Sequence, residues 1–170
     1  MWEVIGWIVL GIVFIFALTA FTGAPFVPSL NKDLREIFAK LYSLSEKDYL
    51  VDLGSGDGKV LKVANSLGAR ALGVEINPFL YFFSKIRFIG NPKVQVKYGD
   101  LFHRKYPDDV TVFYAFGDSR DIERIAKIVQ KHADRTKQSC FLISHAFDLA
   151  EKKPVKKQGA YLLYKFEEEK

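Results

Sequence analysis

Cysteine and histidine are scarce in this chain of 170 residues, and their scarcity excludes two kinds of site. The single cysteine, Cys140, can form no intramolecular disulfide and cannot supply the cysteine pair of a structural zinc site. The three histidines, His103, His132 and His145, lie far apart and lack the spacing of metal ligands. We therefore expect neither a disulfide framework nor a metal centre.

Charge is missing from the start of the chain, because residues 1–31 contain no Lys or Arg and only one acid, Glu3. Residues 4–21 are apolar or glycine except for one threonine. As a helix they would be ~27 Å long, close to the ~30 Å hydrocarbon core of a bilayer. A signal peptide would carry a positively charged start, which this chain lacks. We expect a transmembrane anchor over residues 1–22 that contacts the lipid bilayer through residues 4–21.

Basic residues dominate the rest of the chain, where 25 Lys and Arg stand against 19 Asp and Glu. Several of them follow the apolar segment directly, starting at Lys32, so the positive-inside rule predicts a single-pass membrane protein with a cytoplasmic domain. The basic surplus, including the four lysines of residues 152–157, is expected to face anionic lipid headgroups. Nucleic acid is not expected as a partner, because no aromatic residues are interleaved with these lysines.

Residues 23–48 are interpreted as a linker that contains prolines and leads into an amphipathic helix. Leu34, Ile37, Phe38 and Leu41 recur at the spacing of one helical face. The remaining residues, 49–170, are predicted to form the functional domain.

Predicted strands and helices alternate from Tyr49 onward. The predicted strands are residues 49–53, 71–75, 94–98, 110–114, 140–143 and 160–166. Helical patterns begin near Val60, Pro78 and Ile122, each after one of these strands. This alternation predicts an α/β fold with a Rossmann-like, doubly wound and mostly parallel sheet. The last strand is expected to be antiparallel, because no helix precedes it.

Three acids follow successive predicted strands: Asp52, Glu75 and Asp100. A sheet of this kind binds its ligand beyond the carboxyl ends of its strands, so the three side chains are expected at one site. The glycine-rich motif D-L-G-S-G-D-G at residues 52–58 lets backbone approach a ligand closely, and the following helix offers free N–H groups.

Two cofactors compete for this arrangement. A dinucleotide motif requires glycine at position 59, where this chain has Lys59, and an acid at position 52 is unfavourable beside pyrophosphate. The same acid suits the ammonium and sulfonium groups of S-adenosylmethionine. Glu75 could accept hydrogen bonds from the ribose hydroxyls of either cofactor, and Asp100 is placed to accept one from an adenine amino group. The sequence favours S-adenosylmethionine.

Together, the motif at 52–58, Glu75 and the Gly-Asp pair at 99–100 resemble the class I S-adenosylmethionine-dependent methyltransferases over residues 49–166. With P-F-V-P-S at 25–29 and E-I-N-P-F-L at 75–80, the chain is similar to the small protein-lysine N-methyltransferases of archaea and mitochondria, the latter with an N-terminal membrane anchor. The resemblance implies that the following residues bind the cofactor: Asp52, Gly54, Ser55, Gly56, Asp57, Gly58, Glu75, Ile76, Asn77, Asp100 and Leu101.

The same resemblance implies an active-site mouth formed by residues 25–28, and His145 is a candidate for a general base. The implied catalytic residues are Pro25, Phe26, Val27, Pro28 and His145. Methyl transfer would be an in-line displacement, with no dedicated base required. The chain has Ala115-Phe116 where relatives that methylate adenine or glutamine carry an Asn/Asp-Pro-Pro motif, which argues against those substrates.

Three functions remain open on the sequence. The favoured one is methylation of lysine side chains on a protein in or near a membrane. The second is methylation of a lipid or quinone, and the third is a non-catalytic protein that binds S-adenosylmethionine. Residues 81–83, Tyr-Phe-Phe, are interpreted as helix packing rather than as a channel for a lysine side chain.

Overall fold

The computed structural model describes residues 2–7, 9–11, 31–116 and 121–169. Residues 2–7 and 9–11 are helical and exposed, and the predicted anchor beyond them lies outside the described residues, as do residues 25–28. Within the described ranges, no helix combines the length and the apolar character that crossing a bilayer requires.

The described residues contain seven strands in one sheet. The strands are β1 (Tyr49–Leu53), β2 (Arg70–Glu75), β3 (Val94–Tyr98), β4 (Val112–Ala115), β5 (Cys140–His145), β6 (Lys156–Gln158) and β7 (Tyr161–Phe166). Their spatial order is β3-β2-β1-β4-β5-β7-β6. Strands β1 to β5 pair in parallel, whereas β7 is antiparallel to both β5 and β6. The predicted Rossmann-like sheet with an antiparallel last strand is therefore confirmed, and β6 is an addition that the sequence did not predict.

Helices cover both faces of the sheet. They are α1 (Asn31–Lys40), α2 (Lys59–Ser66), α3 (Pro78–Arg87) and α4 (Ile122–Thr136), with a short 3-10 turn at Leu101–His103. The apolar residues of α1 and α2 form one core with one face of the sheet, and those of α4 form a second core on the opposite face. Because both faces are covered, every residue of β1 is buried.

Local signals set the helix ends that border the site. Asn77 caps α3 as predicted, because its Oδ1 accepts hydrogen bonds from Phe79 N at 3.0 Å and Leu80 N at 3.2 Å. Gly68 follows the end of α2 with φ of 93°, the left-handed conformation that glycine adopts without strain. Strand β2 therefore begins and ends at well-defined turns.

The prediction that residues 81–83 serve helix packing is confirmed for Tyr81 and wrong for Phe82 and Phe83. The side chains of Phe82 and Phe83 are exposed, and Ser84 is the residue of α3 that is fully buried. Helix α3 lies beside β3, the strand at the edge of the sheet, so the sheet covers only one side of the helix. That side is formed by residues such as Tyr81 and Phe88, which pack against the core, and the two phenylalanines point away from it.

Candidate functional site

The turn after β1 folds against the end of β2. The backbone N–H groups of Gly54 and Ser55 both donate to Val74 O at 3.0 Å. Gly54 and Gly58 have φ of 92° and 80°, which residues other than glycine adopt at a cost. A β-carbon on Gly58 would lie 2.5 Å from Ser84 Oγ, whereas one on Gly54 would meet no atom within 4 Å. The turn thus rests on α3 at Gly58 and presents open backbone at Gly54.

Gly73, in the middle of β2, is a further glycine that the site requires. A β-carbon there would lie 2.5 Å from Ser55 Oγ and 2.7 Å from Leu61 Cδ1. Ser55 is buried, and its hydroxyl has no hydrogen-bond partner among the described residues. Gly73 was not predicted as part of the site, although a glycine inside an otherwise apolar strand is a signal of close backbone approach.

Glu75 holds two loops together. Its Oε2 accepts a hydrogen bond from Gly56 N at 2.6 Å, and its Oε1 accepts one from Asn77 N at 2.7 Å. The side chain is buried. Each carboxylate oxygen has two lone pairs, so both oxygens retain capacity for a further donor.

Asp52 lies at the end of β1 with a side chain that is only 2% exposed. Burial raises the pKa of its carboxyl well above the usual range, and the negative charges of Glu75 and Asp57 raise that pKa further. Three carboxylates thus stand around one turn, and the ion pairs with Lys and Arg side chains there involve Asp57. Such a site favours a positively charged ligand.

Asp57 is held by basic side chains. Lys59 Nζ lies 3.7 Å and Arg87 Nη1 lies 3.5 Å from Asp57 Oδ2, and Arg87 also donates to Asp57 O. The ion pairs join the start of α2 to the end of α3. The predicted role of Asp57 in cofactor binding stays a prediction.

Asp100 is brought beside the end of β2 by Gly99, whose N–H donates to Glu75 O at 2.9 Å. Asp100 Oδ1 accepts from Phe102 N at 2.9 Å and caps the 3-10 turn, while Oδ2 accepts from His103 Nδ1 at 2.7 Å. These hydrogen bonds lower the pKa of the Asp100 carboxyl. Asp52, Glu75 and Asp100 therefore lie at or just beyond the carboxyl ends of three adjacent parallel strands, with Ile76 and Leu101 directly after the latter two.

His145 ends β5 at the same edge and belongs to an aromatic cluster. Its ring stacks on Tyr161 with centroids 4.1 Å apart, and the Phe116 ring lies 4.9 Å from it. Phe116 directly follows β4, the strand between β1 and β5. His145 was predicted as a site residue, whereas Phe116 and Tyr161 were not. Phe116 meets His145 through the parallel pairing of β4 with β5, and Tyr161 meets it through the antiparallel pairing of β5 with β7. The other predicted catalytic residues, 25–28, lie outside the described residues.

No protein-family model matches the chain. A 63-residue segment is 38% identical to the human lysine N-methyltransferase of the ATP synthase C-subunit and covers 37% of this chain and 26% of that protein. A 72-residue segment is 31% identical to a chloroplastic ribosomal RNA small subunit methyltransferase of Arabidopsis thaliana and covers 42% of this chain and 21% of that protein. The chain thus matches only about a quarter of the length of these relatives.

Among solved structures, the fold is similar to that of an RNA methyltransferase from Salinibacter ruber crystallised with S-adenosyl-L-homocysteine. The TM-score is 0.71 at 24% sequence identity, over 83% of this chain and 93% of that one. The chain therefore has the fold of the class I S-adenosylmethionine-dependent methyltransferases, and part of its sequence resembles a lysine N-methyltransferase.

Proposed function

We propose that this chain is a membrane-anchored S-adenosylmethionine-dependent methyltransferase whose acceptors are lysine side chains of a protein in or near the membrane. The observation that carries the methyltransferase proposal is the buried pair of carboxylates, Asp52 and Glu75, beside the open backbone at Gly54. The support for a lysine acceptor is the partial similarity to the lysine N-methyltransferases. The support for a membrane location is the apolar composition of residues 4–21.

The residues of the site fit this cofactor. S-adenosylmethionine carries an ammonium and a sulfonium, and a positive charge beside Asp52 would stabilise the charged form of this buried carboxyl, whose pKa is raised in the free protein. Glu75 is fixed by two backbone N–H groups with lone pairs to spare, which suits a ribose diol. Gly54 leaves room for a ligand against the backbone. Asp100 and Leu101 would meet the adenine from the next strand.

Bound S-adenosylmethionine would supply an already activated methyl group, so the protein mainly needs to position the acceptor and exclude water. A lysine acceptor must arrive without its proton, and an apolar, aromatic approach lowers the pKa of an amine by desolvation. Phe116, His145 and Tyr161 form such a surface beside the carboxyl end of β4. We assign acceptor positioning to this aromatic cluster.

The test is a labelling experiment on the full-length protein. Methyl-labelled S-adenosylmethionine is mixed with the protein and with membrane protein, lipid and RNA fractions of the source cell, and the label in each fraction is measured. We expect alkali-stable label in a membrane-protein band. Glu75→Ala should abolish it, and Asp109→Asn, which changes an exposed carboxylate before β4, should not.

The other outcomes assign the alternatives. Label in the lipid extract would replace the lysine proposal by a lipid or quinone acceptor. Label in RNA would indicate an RNA acceptor, in line with the partial similarity to a ribosomal RNA methyltransferase. If the cofactor binds and no fraction is labelled, the protein is a binding protein and the catalytic proposal fails. Absence of cofactor binding would overturn the whole assignment.

A further inference from the structure

Helix α3 carries an apolar stripe on the side that faces away from the sheet. Phe82 and Phe83 are 59% and 61% exposed, Ile86 is 48% exposed, and Ile89 just beyond the helix is 76% exposed. Ile86 lies four positions after Phe82, three after Phe83 and three before Ile89, so the four residues form one continuous surface, named here the α3 stripe. Scattered apolar side chains are ordinary on a surface, but a contiguous set of this size marks a contact surface.

The charged residues of the segment that carries the α3 stripe are all basic, and one of them, Arg87, is paired with Asp57. Residues 76–99 contain Lys85, Arg87, Lys93 and Lys97 and no acid at all. Lys85 lies on α3 beside the stripe, next to Phe82 and Ile86 in the helical pattern, and is exposed. An aromatic and aliphatic stripe flanked by basic residues has the composition of helices that lie in the interface of an anionic bilayer.

We propose that the α3 stripe docks on the surface of an anionic lipid bilayer, with Phe82, Phe83, Ile86 and Ile89 among the acyl chains and Lys85 at the headgroups. The charge of the segment favours anionic lipid over a second copy of this chain, whose stripe would bring the same positive charges together. The apolar composition of residues 4–21 is consistent with a chain that works at a bilayer.

Docking at the α3 stripe would also orient the site. Helix α3 begins at Pro78, three residues after Glu75, and runs from the carboxyl edge of the sheet back towards the start of β3. A bilayer against the stripe would therefore lie along the outer side of α3 and fix the orientation of the sheet relative to the membrane. The docking proposal itself does not depend on methyl transfer, since it concerns side chains outside the cofactor site.

Fluorescence quenching at a single labelled position tests the docking. The full-length protein carries a fluorophore at Ile86→Cys, or at Lys127→Cys as the matched control, because Lys127 is an exposed residue of α4 on the opposite face of the sheet. Native Cys140 will not take the label, since it is buried and its pKa is raised to about 12. The protein is combined with phosphatidylcholine vesicles with or without phosphatidylglycerol, in which a fraction of the lipid carries a nitroxide.

We expect the label at Ile86→Cys to be quenched severalfold more than the label at Lys127→Cys, and more strongly in the anionic vesicles. Adding Lys85→Gln should lower the ratio of docked to undocked protein about fivefold, because one basic residue near the headgroups is lost. Phe82→Ser with Phe83→Ser should remove the difference between the two labels while the thermal unfolding stays unchanged, because both side chains are exposed.

Three results would overturn the proposal. Equal quenching at both labels would show that the stripe does not contact lipid, even if an anchor holds the chain to the vesicle. Without lipid, protection of the Ile86→Cys label from water that rises with protein concentration would assign the stripe to contact with a second copy of the chain. Shielding that needs neither lipid nor high concentration would assign it to another segment of this chain. None of these readouts uses methyl transfer, so they leave the proposed function to its own test.

Discussion

Glu75 Oε2 lies 2.6 Å from Gly56 N, so the carboxylate that ends β2 fixes the backbone of the turn that follows β1. The other oxygen of the same carboxylate accepts from Asn77 N at 2.7 Å. One side chain therefore couples the glycine turn, the end of β2 and the start of α3. The position of the Glu75 carboxylate is therefore fixed by the protein before a ligand binds to it.

Glu75→Gln should weaken both the fold and cofactor binding. The amide has one acceptor oxygen, so one of the two backbone N–H groups would face an NH2 group and lose its partner. The loss of a buried hydrogen bond to a charged group costs about 1.5–3 kcal/mol. Thermal unfolding measures the first effect, and calorimetric titration with S-adenosylmethionine measures the second. A variant with unchanged stability and unchanged affinity would contradict the role given to this residue, and Asp109→Asn serves as the control.

Asp52→Asn should stabilise the free protein and weaken cofactor binding. Burial, with the charges of Glu75 and Asp57, raises the pKa of the Asp52 carboxyl, so its charged form is disfavoured in the folded state. The protonated Asp52 carboxyl contributes stability that is fully present at pH values below its pKa in the unfolded chain. This contribution is lost as the pH rises through the raised pKa of the same group in the folded protein. The free energy of unfolding, measured against pH, should fall over that interval in the native protein and not in Asp52→Asn. If the variant gains stability but binds S-adenosylmethionine equally well, Asp52 has no part in recognising the cation.

Gly73→Ala should distort the cofactor turn through a steric clash. The added methyl would lie 2.5 Å from Ser55 Oγ and 2.7 Å from Leu61 Cδ1, and such overpacking costs about 1–3 kcal/mol. Adding Ser55→Gly removes the nearer of these atoms, so the double variant should recover part of the loss. Unfolding of the two single variants and the double variant, measured as a cycle, gives the coupling. Strictly additive effects would show that the glycine is not needed for this contact.

His132 should make the fold sensitive to acid. Burial, aided by the neighbouring charge of Arg135, lowers the pKa of its imidazole, although the hydrogen bond with Val110 O opposes the shift. Arg135 Nη2 donates to His132 Nδ1 at 3.1 Å, and His132 Nε2 donates to Val110 O at 3.3 Å, so the ring is neutral. The neutral His132 ring contributes stability that is fully present at pH values above its pKa in the unfolded chain, about 6.5. This contribution is lost as the pH falls through the lowered pKa of His132 in the folded protein.

Comparison of the native protein with His132→Gln by chemical unfolding across that pH range checks the prediction. The native protein should lose stability more steeply on acidification than the variant. Parallel pH profiles would mean that the acid sensitivity of the fold resides in other groups.

The sequence predicted most of the fold because its signals are local. The alternation of apolar residues indicated β1, β2 and β3, and the Asn77-Pro78 pair indicated the start of α3 together with its cap. Strand β6 was not predicted, since three residues, two of them lysine, carry no periodic pattern. Exposure of Phe82 depends on the edge position of β3, which is a property of strand order and not of any helical pattern.

The candidate site divides in the same way. Asp52, Glu75 and Asp100 could be grouped from the sequence, because parallel strands place their carboxyl ends together. A glycine inside an apolar strand is a local signal for Gly73, but the side chain that packs against it comes from another part of the chain. Phe116 meets His145 through the pairing of β4 with β5, and Tyr161 meets it through the pairing of β5 with β7. These two contacts join residues far apart in the chain, so no local pattern reports them. The assignments of residues 4–21 and 25–28 stay predictions.

The close approach of Gly58 to Ser84 has a thermodynamic consequence. A β-carbon on Gly58 would lie 2.5 Å from Ser84 Oγ, so the glycine turn has no room to shift towards α3. A displacement of α3 towards the turn must therefore displace the turn as well. If bilayer docking displaces α3, docking on the outer side of the helix and ligand binding at the glycine turn are linked equilibria. Linkage is reciprocal, so the factor by which an anionic bilayer changes cofactor affinity must equal the factor by which the cofactor changes bilayer affinity.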